Sequence, residues 1–328
     1  MNSGSIPPNS SGQDSGLKNS TLIIGGAGFL GNSLAKWLSA SGQSVIVADT
    51  QRRLTLYASQ LQNVEYVACE WPNCNFDTLL NKVKNVVHMA WSSNPASSML
   101  DIESDASENI LGTVRLLESL CNIEKFIFMS SGGTVYGNTD DIPVTELSNT
   151  NPVSAYGISK LCCEKYVQMY SLRRGYTHIN LRLGNPYGAY QLNGTPIGVI
   201  ANFVRKVLND EAIVLYGTGD TVRDYLYIDD FLRAMSLLLQ SPCASGIYNL
   251  GSGVGTSLVE IIDAIEQKLN KKISINRHEE RRLDVRNIVL DVSKLENEIN
   301  CSSAMSVTEG IGMMIEQHSM SETKSAVI

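Results

Sequence analysis

Tyr156 and Lys160 stand four residues apart in the run Ser154-Ala155-Tyr156-Gly157-Ile158-Ser159-Lys160, a spacing that places both on one face of a helix. A phenol with an unperturbed pKa of about 10 is a poor base at neutral pH, but a neighbouring ammonium favours its phenolate. The pair therefore reads as a proton-transfer couple, with Tyr156 as general base and Lys160 as the charge that depresses its pKa. On spacing alone an aromatic packing residue followed by a surface lysine would serve as well, so the pair needs context. Upstream, Ser130-Ser131-Gly132-Gly133-Thr134-Val135-Tyr136-Gly137 follows the apolar run Phe126–Met129. Its hydroxyls are candidates to bond a substrate oxygen and share a proton with Tyr156.

The context comes from the other end of the chain. The run Thr21–Ile24 leads directly into Gly25-Gly26-Ala27-Gly28-Phe29-Leu30-Gly31 and then into a helical pattern. This satisfies both G-x-x-G-x-x-G and G-x-G-x-x-G in the strand-to-helix setting that a dinucleotide fingerprint requires. Gly25, Gly28 and Gly31 let the backbone turn tightly and approach a pyrophosphate, whose charge suits the free N–H groups at a helix start. A glycine-rich turn that merely needs small residues is the plainer reading, and Asp49 decides against it. That carboxylate closes the next strand, where it can accept the ribose hydroxyls of an adenosine and would repel a 2′-phosphate, favouring NAD over NADP. Arg52-Arg53 lie close enough to meet a phosphate, or simply form the solvated start of the next helix.

These residues need a scaffold, and the chain alternates accordingly. Thr21–Ile24, Val45–Ala48, Val64–Ala68, Val86–Met89, Phe126–Met129 and His178–Leu183 are predicted as buried strands. Phe29–Ala40, Ile102–Leu120 and Tyr156–Arg173 have helical period between them. The alternation predicts an α/β fold, a Rossmann-type doubly wound parallel sheet with a smaller C-terminal substrate-binding lobe. Residues 20–185 would form the NAD-binding domain, with 222–252 returning to it through Tyr225–Ile228 and Ile247–Leu250. Residues 186–221 and 253–318 would form the lobe. The Ser-, Asn-, Gly- and Pro-rich residues 1–19, and residues 319–328, read as tails.

Composition narrows the class. The 328 residues are 43% apolar and carry a net charge of −7, with scattered basic residues that suggest no nucleic-acid surface. Seven cysteines and four histidines lack C-x-x-C or H-x-x-x-H spacing, which argues against a metal centre and for a reduced, cytoplasmic setting. No apolar run is long enough to span a bilayer, so a soluble protein without membrane partners is expected.

Taken together these motifs resemble the extended short-chain dehydrogenase/reductase family, and within it the NAD-dependent sugar-nucleotide epimerases. The resemblance runs from Ser20 to about Gln317. It includes His88-Met89-Ala90, Asn109 with Gly112-Thr113, the run Leu181 to Gly188, Tyr216-Gly217-Thr218-Gly219 with Arg223-Asp224-Tyr225, and Tyr248-Asn249-Leu250-Gly251. It implies NAD contacts from Phe29, Leu30, Asp49, Ala90, Asn109, Tyr156 and Lys160. It also implies that Asn185, Arg223 and Arg281 hold the diphosphate of a nucleotide-linked sugar, a role that suits the guanidinium fork.

One departure is Gly132, where the family usually has a catalytic Ser or Thr. Ser131, Thr134 or a water is left to supply the hydroxyl, with Thr134 the first choice. No acid stands at this turn, which disfavours the dehydratase relatives. Counting seven places from Arg281 gives Ile288 as a wall of the sugar pocket, small enough to admit an N-acetyl group. The reaction implied is inversion at C4 through a 4-keto sugar, with a homodimer formed by pairing the helices Ile102–Leu120 and Tyr156–Arg173. An NAD(P)H-dependent sugar-nucleotide reductase is the nearest rival. A non-catalytic NAD-binding regulator would have no reason to keep both Tyr156 and Lys160.

Overall fold

A short β-branched run cannot satisfy its backbone groups within itself, and in the main sheet of this chain such runs pair with one another side by side and in parallel. The computed structural model describes residues 20–57, 60–80, 83–192, 198–279, 285, 287–303 and 305–325; the expected N-terminal tail at 1–19 and Arg281 lie outside them. The first six strands are β1 (Ser20–Ile24), β2 (Val45–Asp49), β3 (Val64–Ala68), β4 (Val83–His88), β5 (Lys125–Ser131) and β6 (Thr177–Leu183). The others are β7 (Asn185–Tyr187), β8 (Ile213–Tyr216), β9 (Val222–Tyr227), β10 (Gly246–Leu250), β11 (Gly255–Ser257) and β12 (Ile275–His278).

The main sheet has the order β10-β6-β5-β4-β1-β2-β3, and each of its six pairings is parallel. Parallel pairing demands crossovers, and the helices that supply them cover both faces. Alternate side chains separate cleanly. Ile23, Val47, Val87, Ile127 and Ile179 enter one apolar core, while Leu22, Ile24, Val86, Phe126 and Phe128 enter the other. The strand order reverses between β1 and β4, and the carboxyl ends of the strands flanking such a switch point leave a crevice for a ligand.

Several expectations need correction. Ile247–Leu250 does join the main sheet as part of β10, but Tyr225–Ile228 does not. Residues Tyr225 to Tyr227 belong to β9, which forms a separate sheet of order β11-β9-β7, and Ile228 opens the helix Ile228–Gln240. Asp224 explains the departure: its buried carboxylate accepts the backbone N–H groups of Ser252 at 2.6 Å, Gly253 at 3.1 Å and Leu290 at 3.2 Å, tying β9 to the turn between β10 and β11 and to Leu290.

The expected helix Ile102–Leu120 is an α turn Ile102–Asp105, a π segment Ala106–Leu111 and an α-helix Gly112–Ser119. The last helix, Val307–Ser325, runs past residue 319, where a tail was expected; the Ser319 hydroxyl donates to the Ile315 carbonyl at 3.1 Å. Cys69 and Cys74, expected as free thiols, form a disulfide. The turn at Trp71-Pro72 brings their Cα atoms to 4.9 Å, within the reach of such a bridge.

Candidate active site

The glycine loop follows β1 and feeds the helix Phe29–Ala40, whose start carries no side-chain cap. Its first N–H groups are therefore left for a ligand. Gly25 has φ +83° and a Cβ there would lie 2.6 Å from the Ala90 backbone nitrogen, so the loop presses against the segment after β4. A Cβ at Gly31 would come within 2.5 Å of the Gly26 Cα, and the helix start approaches the strand end only because both lack side chains. Asp49 is held beside this loop, accepting the Ala27 N–H at 2.9 Å and the Thr50 N–H at 2.8 Å. Gly25, Gly28, Phe29, Leu30, Gly31, Asp49 and Ala90 line one cavity of 670 Å³. A cradle of bare backbone beside a fixed carboxylate fits a dinucleotide.

The same cavity reaches the proton-transfer couple. Tyr156 and Lys160 sit on the helix Ala155–Arg174, whose first turn is capped by Ser154 accepting the Gly157 N–H at 3.3 Å. Both line the cavity with Met129, Ser130 and Ser131. Lys160 donates to the Met129 carbonyl at 2.7 Å, and its ammonium lies 5.6 Å from the Tyr156 ring centre. Burial pulls the Lys160 pKa down to about 7, against the opposing fields of Cys163, Asp105 and Glu164. Burial raises the Tyr156 phenol to about 12; a hydrogen bond with Ser131 opposes the rise and Asp105 adds to it.

Beneath the pair, Asp105 accepts from Ser159 Oγ at 2.6 Å and from Asn109 Nδ2 at 3.1 Å. Asn109 in turn accepts the Ser92 N–H at 3.0 Å. Asn109 thus shapes the cavity wall through Ser92 and is not itself on that wall. Ser130 Oγ donates to Glu164 at 2.5 Å, and Arg182 grips the same carboxylate at 3.0 and 2.7 Å, which fixes the serine turn from below.

Ser131, not Thr134, faces the phenol. The helix Gly132–Val135 begins immediately after Ser131 and carries the next residues away. A Cβ at Gly132 would meet Leu290 at 2.7 Å, and Thr134 lies under Gly157 with its hydroxyl buried and without a partner.

The substrate side differs more from expectation. Asn185 lines the cavity and donates to the Asp224 carbonyl at 3.3 Å. Arg223 turns to the carbonyls of Val222 and Val285 and does not line the described cavity. Ile288 is 1% exposed in an apolar cluster with Val135, Tyr136, Val144 and Leu290 and does not line the described cavity.

Sequence reasoning passed over Trp71 and Trp91, both on the cavity wall. Trp91 follows directly on the His88-Met89-Ala90 run at the carboxyl end of β4, a position that marks it as a cleft residue. Trp71 carried no comparable mark. Tyr190 was also missed; it stacks on Phe29 with ring centres 6.2 Å apart and accepts from Asn32 Nδ2 at 2.7 Å, joining the lobe to the glycine loop.

Comparison with known proteins identifies the family. Residues 21–251 match the model of the NAD dependent epimerase/dehydratase family. The chain is 31% identical over 302 residues to a putative UDP-glucose 4-epimerase of Methanocaldococcus jannaschii, covering 90% of this chain and 96% of that protein. It is 32% identical over 310 residues to a dTDP-4-dehydro-6-deoxyglucose reductase of Escherichia coli, covering 91% and 97%. The solved UDP-glucose 4-epimerase of Thermus thermophilus in complex with NAD superposes with a TM-score of 0.82 at 28% identity, covering 92% of this chain and 99% of that one.

Proposed function

Because the chain belongs to the NAD dependent epimerase/dehydratase family, we propose that it inverts C4 of a nucleotide-linked hexose, with UDP-glucose and UDP-galactose or their N-acetylated forms as substrates. The observation that carries this reading is that Tyr156, Lys160 and Ser131 share one cavity wall with the glycine cradle. Gly25, Gly28, Gly31 and the helix start would hold the pyrophosphate of NAD, and Asp49 its adenosine ribose. When bound, NAD supplies the acceptor and donor of a hydride at the sugar C4.

The chain's own groups handle the proton. Tyr156 takes it from the 4-hydroxyl as the sugar is oxidised to a 4-keto form, and returns it on the other face after the sugar turns. Ser131 donates to the oxygen that carries the developing charge. Lys160 must be cationic while Tyr156 loses its proton, since burial alone holds the phenol protonated. Asn185 anchors the diphosphate. The resemblance offers Arg223 and Arg281 as its guanidinium partners; Arg223 would have to leave the Val222 and Val285 carbonyls to reach it.

Two copies would pair through the outer faces of the helices at 102–119 and 155–174. Exposed Ile102, Leu111, Ile158, Met169 and Leu172 support that pairing.

The test is to incubate the purified protein, without added cofactor, with the four UDP-sugars and follow the sugar signals by NMR. Interconversion at C4 with no net reduction of cofactor supports the epimerase. Similarity to the E. coli reductase defines the opposite result: no interconversion, and stoichiometric consumption of NAD(P)H with a 4-keto sugar nucleotide.

A further inference from the structure

Lys160 is 3% exposed, and a buried ammonium ordinarily has a carboxylate against it. Here the acids nearby are committed elsewhere. Asp105 accepts from Ser93, Ser159 and Asn109, and Glu164 is occupied by Arg182 and Ser130. Among the described residues the Met129 carbonyl is the one hydrogen-bond acceptor for Lys160. What meets the rest of the ammonium is the face of Trp91, with the ring centre 3.6 Å from Nζ, while Phe128 lies at 5.0 Å. The Trp91 ring also meets Tyr156 edge-on, with centres 5.9 Å apart and planes at 72°. One indole thus touches both members of the proton-transfer couple from the cavity side.

We propose that Trp91 is a positioning residue for proton transfer: its indole face stands in place of a carboxylate as the counter-surface of the Lys160 ammonium and holds that charge beside Tyr156. A π face within about 6 Å attracts a cation, most strongly when both are removed from water. Unlike a carboxylate, it adds no negative charge that would resist ionisation of the phenol. The groups facing Lys160 are Tyr156, Cys163 and Glu164 from its own helix, Asp105 from the segment before the π turn and His88 from β4. None of them takes up the position Trp91 occupies.

The inference rests on Tyr156 as the base, so its test is made to stand apart from turnover. Lys160 is titrated by NMR of selectively labelled lysine in the wild-type protein, Trp91→Leu and Trp91→Phe, all without cofactor. Loss of the π face in Trp91→Leu should lower the Lys160 midpoint by about one pH unit, and Trp91→Phe should restore most of it. A Trp91→Leu midpoint equal to or above that of the wild type overturns the proposal. So does a Trp91→Phe midpoint as low as that of Trp91→Leu. Where the wild type interconverts sugar nucleotides, the acid limb of its kcat profile should move to higher pH in Trp91→Leu. A protein with no turnover but the expected lysine shifts would sink the epimerase reading and leave the Trp91 contact standing.

Discussion

Replacing Lys160 by Met should flatten the pH dependence of folding, and the size of the effect follows from the burial of its ammonium. The Lys160 pKa falls from 10.5 to about 7 on folding, with burial the main cause. Between those values the unfolded chain holds a proton that the folded chain has released, so stability rises with pH. Below the folded value both states are charged and the whole penalty applies, roughly 5 kcal/mol for the shift at 1.36 kcal/mol per unit. Near pH 9 only the remaining gap to the unfolded pKa counts, or about 2 kcal/mol.

Wild type should therefore gain roughly 2.5 kcal/mol over Lys160→Met between about pH 6 and pH 9. The Met129 carbonyl loses its partner in the variant, but that cost is the same at every pH and drops out of the slope. His88, held near 3, and Tyr156, near 12, titrate outside this window in the folded chain. Urea unfolding followed by circular dichroism, without cofactor, measures the difference. Parallel curves for the two proteins would refute the reasoning, because the ammonium would then not be held at a cost. The expected outcome makes Lys160 a group whose charge is retained for chemistry at the expense of the fold.

Ser131→Ala should lower kcat by about 10- to 100-fold, whereas Thr134→Val should stay within about 2-fold; steady-state rates on the accepted sugar nucleotide separate them, and the reverse order would restore Thr134 as the catalytic hydroxyl. Gly25→Ala should leave the protein unable to retain NAD, since its Cβ would fall 2.6 Å from Ala90 N at a φ of +83°; wild-type affinity by calorimetry would contradict the cradle. Glu164→Ala strands the 2%-exposed Arg182 and should cost about 3–5 kcal/mol in urea unfolding, with a loss below about 1 kcal/mol counting against a charged pair.

The sheet and the cofactor end were legible because local rules govern them. A strand, a glycine turn and a helix are contiguous in sequence, and Asp49 ends the next strand, so short-range pattern alone brings them together. Tyr156 and Lys160 were legible for the same reason, being one helical turn apart. Which hydroxyl faces Tyr156 was not legible because the direction of the chain after Ser131 depends on Gly132 packing against Leu290, a contact across more than 150 residues that spacing does not reveal. Ile288 failed likewise: counting from Arg281 identifies a position but not the cluster that draws its side chain inward. Trp91 was readable in principle, since the end of β4 opens on the cleft. Its contact with Lys160 joins two distant segments through tertiary packing.

Strand β6 is an interior strand only because β10 arrives to pair with it, Ile179 to Leu183 against Gly246 to Leu250. Synthesis runs from the N-terminus, so β6 and everything from β3 to β5 exist well before β10 does. During that interval the rim of the sheet is an unpaired strand whose Ile179, Leu181 and Leu183 are made for burial on one face, a ready template for pairing with another chain. A fragment cut after Asn185 would keep the glycine cradle, Tyr156 and Lys160, yet carry that open rim permanently and tend to aggregate. The smallest well-behaved cofactor-binding unit of this protein must therefore extend through Leu250, and the segment between Asn185 and Gly246 comes with it as the tether that delivers the closing strand.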